Sequence, residues 1–172
     1  MNILLALGAA IISAVAAISG VYFTNRGHEK RLRIQFENDT KIRETERKVK
    51  KLEEMFILFQ RWEMDVSCLA LTFIPVYEGE CSASEAKADS ALNRLQEKGD
   101  YQKFQAILNL HFPELKDEFW KVMHKRGEVM KFCRFNVEVN SERLKLFISA
   151  QKDFENQTAE FRSHMSELAH GL

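Results

Sequence analysis

The stretch Ile42–Phe73, IRETERKVKKLEEMFILFQRWEMDVSCLALTF, decides the fold. Residues alternately three and four apart, namely Ile42, Thr45, Val49, Leu52, Phe56, Phe59, Glu63, Val66, Ala70 and Phe73, make an a/d stripe interrupted only by Thr45 and Glu63. A helix turns once in about 3.6 residues, so this repeat puts its members on one face that must be covered. The spacing predicts one long helix ending before Pro75, whose ring disfavours helical geometry in the preceding residue.

A second stripe of the same kind runs Phe119, Met123, Arg126, Met130, Cys133, Val137, Asn140, Leu144, Phe147, Gln151, Phe154, Thr158, Phe161, Met165 and Leu168. It predicts a single returning helix from about Pro113 to Ala169, with Asn140-Ser141 the one place where a fresh start could be capped. Between the stripes, Gly79 and Ser82-Ala83-Ser84 read as a loop, and Ser82 with Glu85 has the spacing of a capping box. A short helix follows, with Ala88, Ala91, Leu92 and Leu95 as its apolar face and Gly99 placed for a left-handed end. Asp100 can cap another, carrying Tyr101, Phe104, Leu108 and Phe112, and Pro113 suits the first position of the last helix. Strand patterning is confined to Phe135–Val139.

Two stripes joined by a loop predict an antiparallel helical hairpin, and their polar interruptions suggest its register. Pairing Thr45 with Thr158, Glu63 with Asn140 and Phe56 with Phe147 sets polar against polar and apolar against apolar, except for Leu52 against Gln151. A slip of one heptad would bury a polar group against an aromatic ring at about 1–3 kcal/mol each. The hairpin would carry Pro75 to about Met123 as a head at its far end, on a stalk on the order of 70 Å long at ~1.5 Å per residue.

Ahead of the hairpin, residues 1–25 carry no charge, and Ile3–Phe23, ILLALGAAIISAVAAISGVYF, is long enough to span a bilayer as a helix. Ala14-Val15-Ala16 resembles a signal-peptide cleavage site, but no Lys or Arg precedes the run and it outlasts the apolar region of such a peptide, so an uncleaved anchor is the better reading. Arg26, Lys30, Arg31, Arg33, Lys41 and Arg43 follow the run, which predicts an N-terminus outside and a cytoplasmic body. From Arg26 to Lys51 there are ten Lys+Arg against five Asp+Glu, a base suited to an anionic leaflet. Ala9, Ser13 and Ala17, four apart, would let two such helices approach closely as a homodimer.

The expected fold class is therefore all-α: a transmembrane anchor, 1–25, then a helical domain, 26–172. That domain comprises an outgoing helix, 26–74, a loop with two short helices, 75–112, and a returning helix, 113–170. The formal net charge of zero argues against a general nucleic-acid binder, and 29% charged with 45% hydrophobic residues argues against wholesale disorder.

No pattern of catalytic chemistry is visible. Cys68, Cys81 and Cys133 are isolated, with Cys133 on the core stripe, and a reducing compartment would leave them without disulfides. The single Glu-x-x-His, Glu167 to His170, falls short of the two such pairs and two further Glu that a di-iron bundle needs. No catalytic residue, cofactor or metal site is expected. Trp62 and Trp120 lie off the a/d positions, where they either bury against the short helices or mark a partner surface. The reading is a non-enzymatic scaffold or adaptor tied to a lipid bilayer and presenting a binding head to an unknown protein. The alternative is a body outside the membrane, since an anchor followed by a helical rod is similar in outline to the phage inner-membrane spanins, which would imply an envelope-disrupting role.

Overall fold

A computed structural model describes residues 2–135 and 140–171, with side chains from Ser19 onward. Among the described residues it holds five α-helices and no strand: α1, Asn2–Glu78; α2, Ala83–Leu92; α3, Asp100–His111; α4, Lys116–Met130; and α5, Ser141–Gly171. A 3-10 turn, Pro113–Leu115, leads into α4, with Pro113 at its first position. The chain forms two compact units, Met1–Glu46 and Arg47–Leu172.

The first unit is the N-terminal part of α1. Its side chains from Gly20 to Glu44 are exposed, and its polar contacts are local, such as Arg33 to Glu37 at 3.0 Å. No helix among the described residues is long and apolar enough to cross a membrane. Most of the expected span, including Ala9, Ser13 and Ala17, lies outside the residues whose side chains are described.

The second unit is an up-down-up-down bundle of α1, α3, α4 and α5. Arg61 of α1 reaches Asp100 of α3 at 3.2 Å, and Tyr101 of α3 reaches Met123 of α4 at 3.8 Å. Lys125 of α4 meets Asp153 of α5 at 2.7 Å, while His164 stands 3.8 Å from Glu118. These contacts run each helix antiparallel to the one before it. Phe59 sits at the centre, its ring centroid 4.7 Å from Phe161, 5.6 Å from Trp62 and 5.8 Å from Phe104. Phe59, Phe73, Phe104, Phe112, Phe147, Phe154 and Phe161 are under 2% exposed. Burying each side chain favours the fold by roughly 1.5–3 kcal/mol over leaving it in water.

Four expectations need correction. First, α1 does not stop before Pro75; it continues to Glu78. Pro75 forgoes one backbone bond, but Val76 and Tyr77 beyond it are buried, and their packing outweighs that loss. Gly79, at φ 80°, makes the end: its N–H bonds Val76 O at 3.3 Å and Glu80 N–H bonds Pro75 O at 2.9 Å, a Schellman pair.

Second, the returning helix is two helices. Lys131 and Phe132 donate to Glu128 O and Val129 O in a tightened last turn of α4, and Tyr77 Oη donates to the freed Phe132 carbonyl at 3.0 Å. Asn140 opens α5 by accepting from Glu142 N–H at 2.9 Å and Arg143 N–H at 3.3 Å. The one short stretch of alternating pattern, Phe135–Val139, falls mostly on residues 136–139, outside the described residues.

Third, the register differs. Glu63 faces Thr158, not Asn140, and Phe147 packs on Tyr77 at 5.5 Å, not on Phe56. Thr158 therefore does not answer Thr45, and α5 is slid along α1 by more than two heptads. The expected register needs one unbroken returning helix; α4 and α5 are instead antiparallel, so α4 runs parallel to α1 and α5 returns beside both.

Fourth, the short helices form no distal head. α3 packs against the middle of α1, as Lys103 to Glu54 at 2.5 Å shows. Between Leu92 and Asp100 the chain is held by Asp65, which accepts from Leu95 N–H at 2.7 Å and Gln96 N–H at 3.1 Å. The capping box at Ser82 and Glu85 forms in full. Its helix ends at Leu92, however, with Ala83 and Ala86 buried and Leu92 and Leu95 exposed. Gly99 has the positive φ expected of it, but at the N-cap of α3 rather than the C-terminus of α2.

Candidate functional site

Local sequence decides which polar groups enter the bundle. Glu63 stands on an otherwise apolar face of α1 and is 8% exposed, so its carboxylate must be answered from a neighbour. Thr158 Oγ1 donates to it at 2.6 Å, and the Arg162 guanidinium, one turn on along α5, closes on its other oxygen. Gln151, which found no polar match in the expected register, donates to Ser67 at 3.4 Å and Glu155 at 3.0 Å. A second ion-pair group ties α3 to α1: the Lys103 ammonium, then Lys51 at 2.7 Å, holds the Glu54 carboxyl down at about 2. The Asp100 carboxyl is also lowered, first by Glu97 N–H and then by Arg61.

The two tryptophans part company. Trp62 is buried, at 6% exposure, among Phe59, Tyr101, Phe119 and Phe154, so it is core and not a partner surface. Trp120 is 69% exposed on α4. Of the register residues, Phe56 is half-buried, Phe147 buried and Asn140 exposed. Arg26, Lys30, Arg31 and Arg33 are exposed on α1.

An apolar row runs along the outer face of α1 beside α5. Ile57, Met64 and Leu71, one heptad apart, are each more than half exposed, and Ile148 of α5 is 49% exposed. Two recesses open between these helices. One, of about 390 Å³, is lined by Leu52, Phe56, Ile57 and Met165 with Glu53 and Ser166 beside them; the other, of about 340 Å³, by Leu71, Phe147 and Ile148 with Gln151, Lys152 and Glu155. The spacing that identified the core stripe also contained this row, as the adjacent set of heptad positions.

Cys133 is buried, and burial pushes its thiol up to about 12, which suits a small core residue rather than a nucleophile. Cys68 and Cys81 are half-buried and free. Among the described residues no three His, Cys, Asp or Glu side chains stand close enough to hold a metal ion. His170, of the Glu-x-x-His pair, has Nδ1 2.8 Å from Ser166 O. The core flank formed by Met55, Leu58, Trp62, Val122 and Val129 escaped the a/d reading. Its signal is that apolar residues also fill the flanking heptad positions, as a helix covered on two sides requires. No protein-family model, curated protein or solved structure matches the chain.

Proposed function

We propose that the protein is a non-enzymatic, membrane-anchored adaptor whose helical bundle, Arg47–Leu172, meets a protein partner on the cytoplasmic side, with the N-terminus outside. The observation that carries this reading is the order of residues along one helix: the uncharged run Ile3–Phe23, then Arg26, Lys30, Arg31 and Arg33 without an intervening turn. Val21, Tyr22 and Phe23, at 61%, 60% and 70% exposure, are apolar side chains that suit the edge of a bilayer. The exposed basic residues after them suit an anionic leaflet, at about 1 kcal/mol apiece near its surface.

The partner surface in this reading is the row Ile57, Met64, Leu71 and Ile148 with its two recesses. Heptad spacing fits it to the apolar face of one amphipathic helix of the partner. The experiment is alkaline extraction of membranes from cells expressing the chain, combined with a reporter after Leu172. Retention in the membrane with the reporter in the cytoplasm is the expected result. Release into the supernatant overturns the anchor, and a reporter outside overturns the orientation in favour of an envelope role.

A further inference from the structure

A cavity of about 210 Å³ lies among α1, α2, the segment after α2 and α4, away from the apolar row. Its floor is apolar, from Trp62, Val66, Leu69 and Met130, while three cations line it: Lys87 of α2, Arg94 after α2, and Arg126 of α4. Asp65 is the one carboxylate in the lining, and it is already engaged by the Leu95 and Gln96 N–H groups, with Arg94 Nε 3.9 Å away. The lining thus carries a surplus of two positive charges. Arg126 Nε and Gln96 Nε2 are buried donors without a hydrogen-bond partner among the described residues. Lys87 Nζ rests 3.3 Å from the centroid of the Phe135 ring, and among the described residues no carboxylate pairs with it or with Arg126.

A buried donor left unanswered is costly, so two of them beside three cations describe a site complementary to an oxyanion. Arginine and a neighbouring lysine match the oxygens of a phosphoryl group, the arginine through its planar fork. We propose that this cavity binds a phosphate monoester, held by Arg126, Lys87 and Gln96, with a small apolar portion against Trp62 and Leu69. The volume falls below that of the usual drug-sized pocket, roughly 300–1,000 Å³, which limits the ligand to a small phosphorylated metabolite or the monoester head of phosphatidic acid.

Calorimetric titration of the full chain in detergent, at constant ionic strength, tests this with sodium phosphate, glycerol 3-phosphate and a water-soluble short-chain phosphatidic acid, against sodium chloride. Saturable binding is expected for the phosphates and none for chloride. Arg126→Gln and Lys87→Gln, each checked for unchanged helicity, should weaken binding at least tenfold. Glycerol 3-phosphate binding as tightly as the short-chain lipid identifies a free metabolite, and a lipid tenfold tighter identifies a headgroup. Phosphate that binds no better than chloride overturns the proposal, as does binding that both variants retain at full strength.

Discussion

Glu63 is placed where a carboxylate is hardest to keep, on the inner face of α1, and it is held there by Thr158 and Arg162. Removing one partner leaves the charge part-answered in a medium that solvates it poorly. Breaking a fully buried pair costs about 3–5 kcal/mol, and the Arg162 side chain is 33% exposed, so Arg162→Ala should destabilise by about 1–3 kcal/mol. Urea unfolding followed by circular dichroism reads this as a lower midpoint at unchanged slope. A midpoint that does not move would mean the pair adds nothing to stability. Glu54 carries the pH dependence. Its carboxyl is held at about 2 in the fold against an ordinary 4.5, so it contributes stability above pH 4.5 and loses it as pH falls towards 2. The gap in urea midpoint between the protein and Glu54→Gln should therefore be widest at neutral pH and close by about pH 2. A gap that is constant across that window would reject the assignment.

At the scale of elements, what was legible in the sequence is what neighbouring residues decide among themselves. The Ser82–Glu85 box closes because both partners sit within one turn, and the α5 stripe from Phe147 to Met165 is buried as its spacing demands. Gly79 and Gly99 both take positive φ because nothing else fits those corners without strain. The misread points are competitions between a local preference and distant packing. Pro75 opposes helix locally, but the burial of Val76 and Tyr77 against the rest of the bundle overrides it. The continuous spacing through Cys133 and Asn140 conceals a break, because the repeat runs on through α4 and α5 although the two helices are antiparallel. Polar matching was a sound guide with the wrong candidates: Glu63 finds Thr158, and Gln151 finds Ser67, once the returning chain is divided. Arg126, a charge on an apolar stripe, was the one sequence signal of the cavity beside α2, and its neighbours Lys87 and Gln96 come from elements that no periodicity links to it.

For the whole molecule, the distribution of buried residues predicts where stability resides. Every buried core side chain among the described residues falls between Leu52 and Met165, inside the unit Arg47–Leu172. A piece of about 125 residues is an ordinary domain size, and this one has its own aromatic core, ion pairs and helix caps. The described side chains before Glu46 are almost all exposed, and surface changes of that kind alter stability by less than about 0.5 kcal/mol. Fragments 26–172 and 47–172 should therefore unfold with the same urea midpoint and slope, each in one cooperative transition. The comparison leaves out the uncharged N-terminal run in both cases, so no detergent enters the measurement. If 47–172 loses its cooperative transition while 26–172 keeps it, residues 26–46 are part of the folded body, and the exposed basic stretch is buttressing the bundle. Equal midpoints would leave Arg26, Lys30, Arg31 and Arg33 free to be altered as a surface, which is the condition for testing the proposed contact with a bilayer without disturbing the bundle.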